Sequence, residues 1–136
     1  MIAGPERERL ESTRQGLLRV HAALLDEERI QYERQYGRVE GSGALLQLVI
    51  HDPWFAWLRS VSELIVQIDE QLDDDGPPQT RLMEALLTQA RDQLRPDEAG
   101  NAFQQRYYRL LQEAPAVAVA HAEARRLLSG DDHAIP

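Results

Sequence analysis

Three of the four histidines in this 136-residue chain stand among apolar residues, where a group that binds metals or moves protons needs a partner. On a helical wheel centred on His21, the residues Leu10, Leu17, Leu24, Leu25, Glu28, Tyr32 and Tyr36 all fall within roughly 60° of it. His121 shares a helical face with Val117, Ala124 and Leu128, and His51 lies between two strongly apolar stretches. If the fold brings these groups together, His21, Glu28, His51 and His121 supply nitrogen and oxygen ligands for zinc, iron or another transition metal, or line a small-molecule site. The spacing argues the other way. No Glu-x-x-His pair occurs, so the di-iron bundle signature is missing, and neither His-x-x-x-His nor His-Glu-x-x-His is present. The simpler reading is a set of core polar groups satisfied by hydrogen bonds across helices. No metal is favoured and no cofactor is implied.

His51 is followed directly by Asp52, with Trp54 close behind. A histidine and an aspartate against an aromatic wall are the parts of an acid–base pair. Adjacent side chains at a helix junction diverge, however, so Asp52 reads as an N-cap and Pro53 as the first helical residue, where no N–H is missed. Asp52, Pro53, Trp54 and Trp57 are therefore structural candidates, and His51 suits the negative end of the preceding helix dipole. No nucleophile elbow, phosphate loop or dinucleotide fingerprint accompanies them. The acidic run Asp69–Gly76 fails as a calcium loop. With Gly76 at the sixth position, such a loop would begin at Gln71 and end at Leu82, where acids are required. Tyr107 fits an apolar stripe with Phe103, Leu110 and Leu111, whereas Tyr108 lies off it, exposed or at an interface.

Helices must position these groups, because the chain shows helical periods throughout and no credible strand. The first is expected from about Pro5 to about Tyr36, stopped by Gly37, with Gly16 a weak point inside it. After a loop over Gly37–Gly43, a short helix from Ala44 to His51 is apolar at almost every position and is expected to be buried all round. The helix beginning at Pro53 carries the clearest period, Trp54, Trp57, Leu58, Val61, Leu64, Ile65, Ile68 and Leu72. Three more are expected, about Gln79–Leu94, Asn101–Glu113 and Pro115–Leu128, the last rich in alanine and so able to approach a neighbour closely. The result is an all-α fold, a compact bundle of about five to six helices with a long N-terminal helix. Residues 1–130 form one domain and residues 131–136 a frayed tail.

Composition narrows the function classes. There is no cysteine, which removes disulfides, thiol catalysis and thiolate metal sites and points to a cytoplasmic location. The start, Met1 to Pro5 running into Glu6-Arg7-Glu8-Arg9, does not read as a signal peptide, and no apolar run is long enough to span a membrane. The net charge is −8 and all fifteen basic residues are arginines, mostly interleaved with acids, which argues against nucleic acid as a partner.

The segment GALLQLVIHDPWFAWLRSVSELIVQIDE, together with FQQRYYRLLQEAPAVAVAHAEARRLL, resembles small uncharacterised bacterial all-helical proteins, from about Leu17 onward. The resemblance implies a helical bacterial protein and no activity. The function expected is non-enzymatic, a bundle acting through protein–protein contact. A homodimer is expected because the first helix, at roughly 45 Å, is too long for the others to cover. The alternative, from a different class, is a metal- or small-molecule-binding bundle, an enzyme among its possibilities, using His21, Glu28, His51 and His121.

Overall fold

The computed structural model describes residues 4–129. Among them are six α-helices and no strand: α1 (Pro5–Tyr36), α2 (Gly41–His51), α3 (Arg59–Asp73), α4 (Thr80–Gln93), α5 (Ala102–Glu113) and α6 (Pro115–Ser129). A 3-10 segment, Pro53–Leu58, joins α2 to α3. The all-α bundle with a long N-terminal helix is therefore observed. The tail expected over residues 131–136 lies outside the described residues.

α1 is the axis. It buries Leu10, Thr13, Leu17, Val20, Leu24 and Glu28, a three- and four-residue repeat that runs five turns along one face. α6 lies along it with Val117, Ala120, Ala124 and Leu128 turned inward. The two backbones meet closely at Gly16. A Cβ built there would sit 2.6 Å from Leu128 Cδ1 and 3.2 Å from the Cα of Ala124. The glycine that weakens α1 locally is thus what lets α6 approach, and the alanines of α6 do the same from the other side. α3 and α4 close the bundle with Val61, Leu64, Ile65 and Ile68 from one and Met83, Leu86, Leu87 and Ala90 from the other. α5 is fixed at its start by a capping box. Asn101 Oδ1 accepts from the Gln104 N–H at 2.8 Å, and Gln104 Oε1 accepts from the Asn101 N–H at 3.1 Å. Gln104 is buried, and its Nε2 also donates to the carbonyl of Asp92 at the end of α4.

Two elements differ from expectation. The stretch after Asp52 begins as a 3-10 helix, with three residues per turn, so that positions three apart eclipse. That geometry aligns Phe55, Leu58 and Val61 on the core, all 0–1% exposed. It moves Trp54 and Trp57 to the flank, where both are half-buried. α2 starts at Gly41 rather than Ala44, and it is not buried all round: none of its residues is buried. The apolar sequence of an 11-residue helix records a need for cover, and this bundle supplies cover on one side only.

Candidate functional site

Glu28 is the most deeply buried charged side chain, 1% exposed in the middle of the apolar face of α1. Its carboxylate is fully engaged. The Arg106 guanidinium, from α5, donates to Oε1 at 2.6 Å and to Oε2 at 3.1 Å, and the Trp57 indole N–H donates to Oε2 at 3.1 Å. The Trp54 indole N–H takes the backbone carbonyl of the same residue at 3.2 Å. Arg106 also lies over the Trp57 ring, 5.6 Å from its centroid. One acid therefore ties α1, the 3-10 segment and α5 together.

The histidines do not join it. His21 Nε2 lies 2.9 Å from Ser62 Oγ on α3, and burial holds its pKa below the ordinary value. His121 Nδ1 lies 2.7 Å from the hydroxyl of Tyr107, a residue with no exposed surface. Burial pushes the Tyr107 hydroxyl pKa up. Burial, then the nearby Arg125 charge, push that of His121 down. Both groups are thus neutral near pH 7. Only the arrangement in which Tyr107 donates to Nδ1 leaves no buried hydroxyl proton without an acceptor, so the ring proton of His121 sits on Nε2. His51 is exposed at the end of α2, and no hydrogen bond joins it to Asp52 among the described residues. The Asp52 carboxylate instead accepts the Trp54 backbone N–H at 2.9 Å, at the head of the 3-10 segment. His21, His51 and His121 line three different surface depressions. The four-residue site His21, Glu28, His51 and His121 is not assembled, and among the described residues no group of three histidines or acids could hold a metal ion.

Around α2 the fold leaves apolar surface open. α2 stands as a ridge between two grooves. One, of about 600 Å³, runs between α2 and the α1–α3 surface, with His21, Leu25, Leu45 and Val49 in its walls and Arg59 and Glu63 on α3 at its edge. The other, of about 590 Å³, lies between α2 and the end of α1, against Tyr32 and Tyr36. Leu46 and Ile50 are 55% and 47% exposed on the ridge, Tyr36 is 64% exposed beside it, and Val66 is 53% exposed further along α3. Gly37 and Gly41, both at positive φ (97° and 85°), bracket the short connection that swings α2 into this position.

The chain matches no known protein family, no curated protein and no solved structure. The reading of the site therefore rests on its own geometry. Arg106 as the partner of Glu28, and Ser62 as that of His21, carry no signal in the sequence, because each pairing spans more than forty residues. The exposure of Leu46 and Ile50 was hidden for a different reason. Their apolarity is visible, but the number of neighbours available to cover them is a property of the whole bundle.

Proposed function

We propose that this chain is a non-enzymatic helical bundle that acts through protein–protein contact and associates with a second copy of itself through α2. The observation that carries this reading is that α2, apolar along nearly its whole length, buries no residue. Leaving Leu46 and Ile50 half in water forgoes on the order of 1 kcal/mol each, which a partner recovers. The shape favours a copy of the same chain. A ridge flanked by grooves is self-complementary about a two-fold axis, since the ridge of each copy seats in a groove of the other. The rim fits as well: Arg59 and Glu63, one turn apart on α3, can pair with each other's counterparts across such an axis. No helix among the described residues is long and apolar enough to cross a membrane. A cytoplasmic location belongs to this reading, on the absence of cysteine from the chain.

Hydrogen exchange at two protein concentrations tests it. The amides of residues 45–50 are expected to exchange more slowly in concentrated solution than in dilute solution, while those of α5 do not change. Exchange of residues 45–50 that is independent of concentration would count against the reading.

A further inference from the structure

The fold gathers a cationic depression on the side of the molecule formed by α4 and α6. Its volume is about 640 Å³ and it opens to solvent. Arg91 and Arg95 reach it from the end of α4 and the turn beyond. Arg125 and Arg126 reach it from α6, with His121 one turn earlier on the same face as Arg125. Asp92 is the one acid among the described residues of its lining. The floor is apolar, made by Leu94, Pro96, Ala124 and Leu128. In sequence the two arginine pairs stand some thirty residues apart, and nothing there signals that they meet.

Three features set this place apart from an ordinary solvated face. First, none of the four arginine side chains makes an ion pair or hydrogen bond among the described residues; the side chains of Arg34, Arg38, Arg81 and Arg109 share that state, so what is distinctive here is the gathering of four such groups about one depression. In a chain of net charge −8, acids are abundant, yet among the described residues the Asp92 carboxylate forms no ion pair with any of the four. Second, helix dipoles account for only part of the set. Arg91 and Arg126 lie in the last turns of their helices and complement the carbonyl ends, but Arg125 and His121 lie further back in α6. Third, His121 is oriented from behind. Tyr107 holds Nδ1, which leaves the Nε2–H as a donor with no partner among the described residues, on a residue that lines the depression.

From this arrangement we infer that the α4–α6 depression binds a small amphiphilic anion, its carboxylate or phosphate group held by Arg95, Arg125 and the His121 Nε2–H and its apolar body on Leu94, Pro96 and Leu128. Guanidinium groups suit either head group, because their planar forks donate two parallel hydrogen bonds to carboxylate and phosphate alike. The apolar floor selects against a bare inorganic ion. This site is on a different part of the chain from the α2 ridge, so the two readings stand or fall separately.

Calorimetric titration of the whole chain tests the inference with four probes: octanoate, octyl phosphate, octan-1-ol and inorganic phosphate. At least one of the two charged amphiphiles is expected to bind, and the tighter of them identifies the head group. Octanol and inorganic phosphate are expected to bind at least about tenfold more weakly, since each lacks half of the recognised chemistry. The exposed double substitution Arg95→Gln/Arg125→Gln is expected to weaken binding by about tenfold or more, as loss of charge-assisted hydrogen bonds does. Arg81→Gln, which removes an exposed arginine elsewhere on α4, is expected to leave it unchanged. On adding the amphiphile, the ring resonances of His121 should shift and those of His21 should not. The inference is overturned if neither charged amphiphile binds, if octanol binds as tightly as they do, or if Arg81→Gln weakens binding as much as the double substitution.

Discussion

Arg106 on α5 donates from one guanidinium nitrogen to both carboxylate oxygens of Glu28 on α1, at 2.6 and 3.1 Å. The acid is 1% exposed and the arginine side chain 34% exposed, so the charge pair sits at the boundary of the core rather than in its centre. The cost of burying Glu28 is offset by Arg106 and by the Trp57 indole, and water still reaches the far side of the guanidinium. Removing either partner therefore leaves a larger deficit than the pair itself contributes.

Arg106→Ala leaves the buried carboxylate with only the Trp57 N–H and should destabilise the fold by about 3 kcal/mol or more. Glu28→Gln keeps an acceptor for Trp57 and should cost less than Arg106→Ala. Urea unfolding followed by tryptophan fluorescence is well placed to check this, because both indoles touch Glu28. Equal, small losses for both variants would show that the pair is solvated and of little weight.

Gly16→Ala should lower the melting temperature even though alanine is the better helix former. The propensity gain is about 1 kcal/mol. The new methyl would meet Leu128 Cδ1 at 2.6 Å, which can shift, and the Ala124 Cα at 3.2 Å, which cannot shift without moving α6. Overpacking of this kind costs about 1–3 kcal/mol. A stabilised variant would mean that α6 yields more easily than its fit to α1 implies.

Asp52→Ala should destabilise by about 0.5–2 kcal/mol, through loss of the cap on the Trp54 N–H. Asp52→Asn should retain most of the stability, because its carbonyl oxygen accepts the same bond. An Asn variant as damaged as Ala would show that the carboxylate charge matters, and would revive a role for the neighbouring His51.

Stability should fall as the pH drops below about 6.5, the ordinary histidine value. Burial lowers the folded-state pKa of both His21 and His121, so just below that pH the unfolded chain binds more protons than the folded one. Stability then decreases as pH decreases, until the folded histidines are themselves protonated. Above pH 7 both states are neutral at these sites and the contribution is constant. His121→Gln, whose carbonyl can still accept from Tyr107, should show a shallower fall between pH 7 and pH 5.5 in urea midpoints. An unchanged slope would place the linkage elsewhere.

Much of this architecture is legible in the sequence, and the misses have definite causes. The periods of α3 and α6 mark their inward faces, since burial along a regular helix follows spacing alone; on α1 the buried line runs through Leu10, Thr13, Leu17, Val20, Leu24 and Glu28, turned to one side of the stripe centred on His21, so that His21, Leu25 and Tyr32 are half-buried and Tyr36 is exposed. Phe55 is hidden by the assumption of α geometry after Pro53, where the chain takes a 3-10 turn that rotates Phe55 inward and both tryptophans outward. Glu28 and His21 are visible as polar residues on an apolar stripe. What satisfies them, Arg106 and Ser62, depends on which helices become neighbours, and local pattern does not encode that. The same limit explains α2: apolarity predicts that Leu46 and Ile50 need cover, not that the chain itself leaves them without it.

Sedimentation equilibrium over a wide concentration range tests self-association through α2 most directly. The native chain should fit a monomer–dimer equilibrium with substantial dimer at tens of micromolar. The exposed double substitution Leu46→Glu/Ile50→Glu should be monomeric at every concentration while keeping its helical circular dichroism. A native chain that is monomeric throughout, or a double variant that dimerises as well as the native chain, would contradict the account.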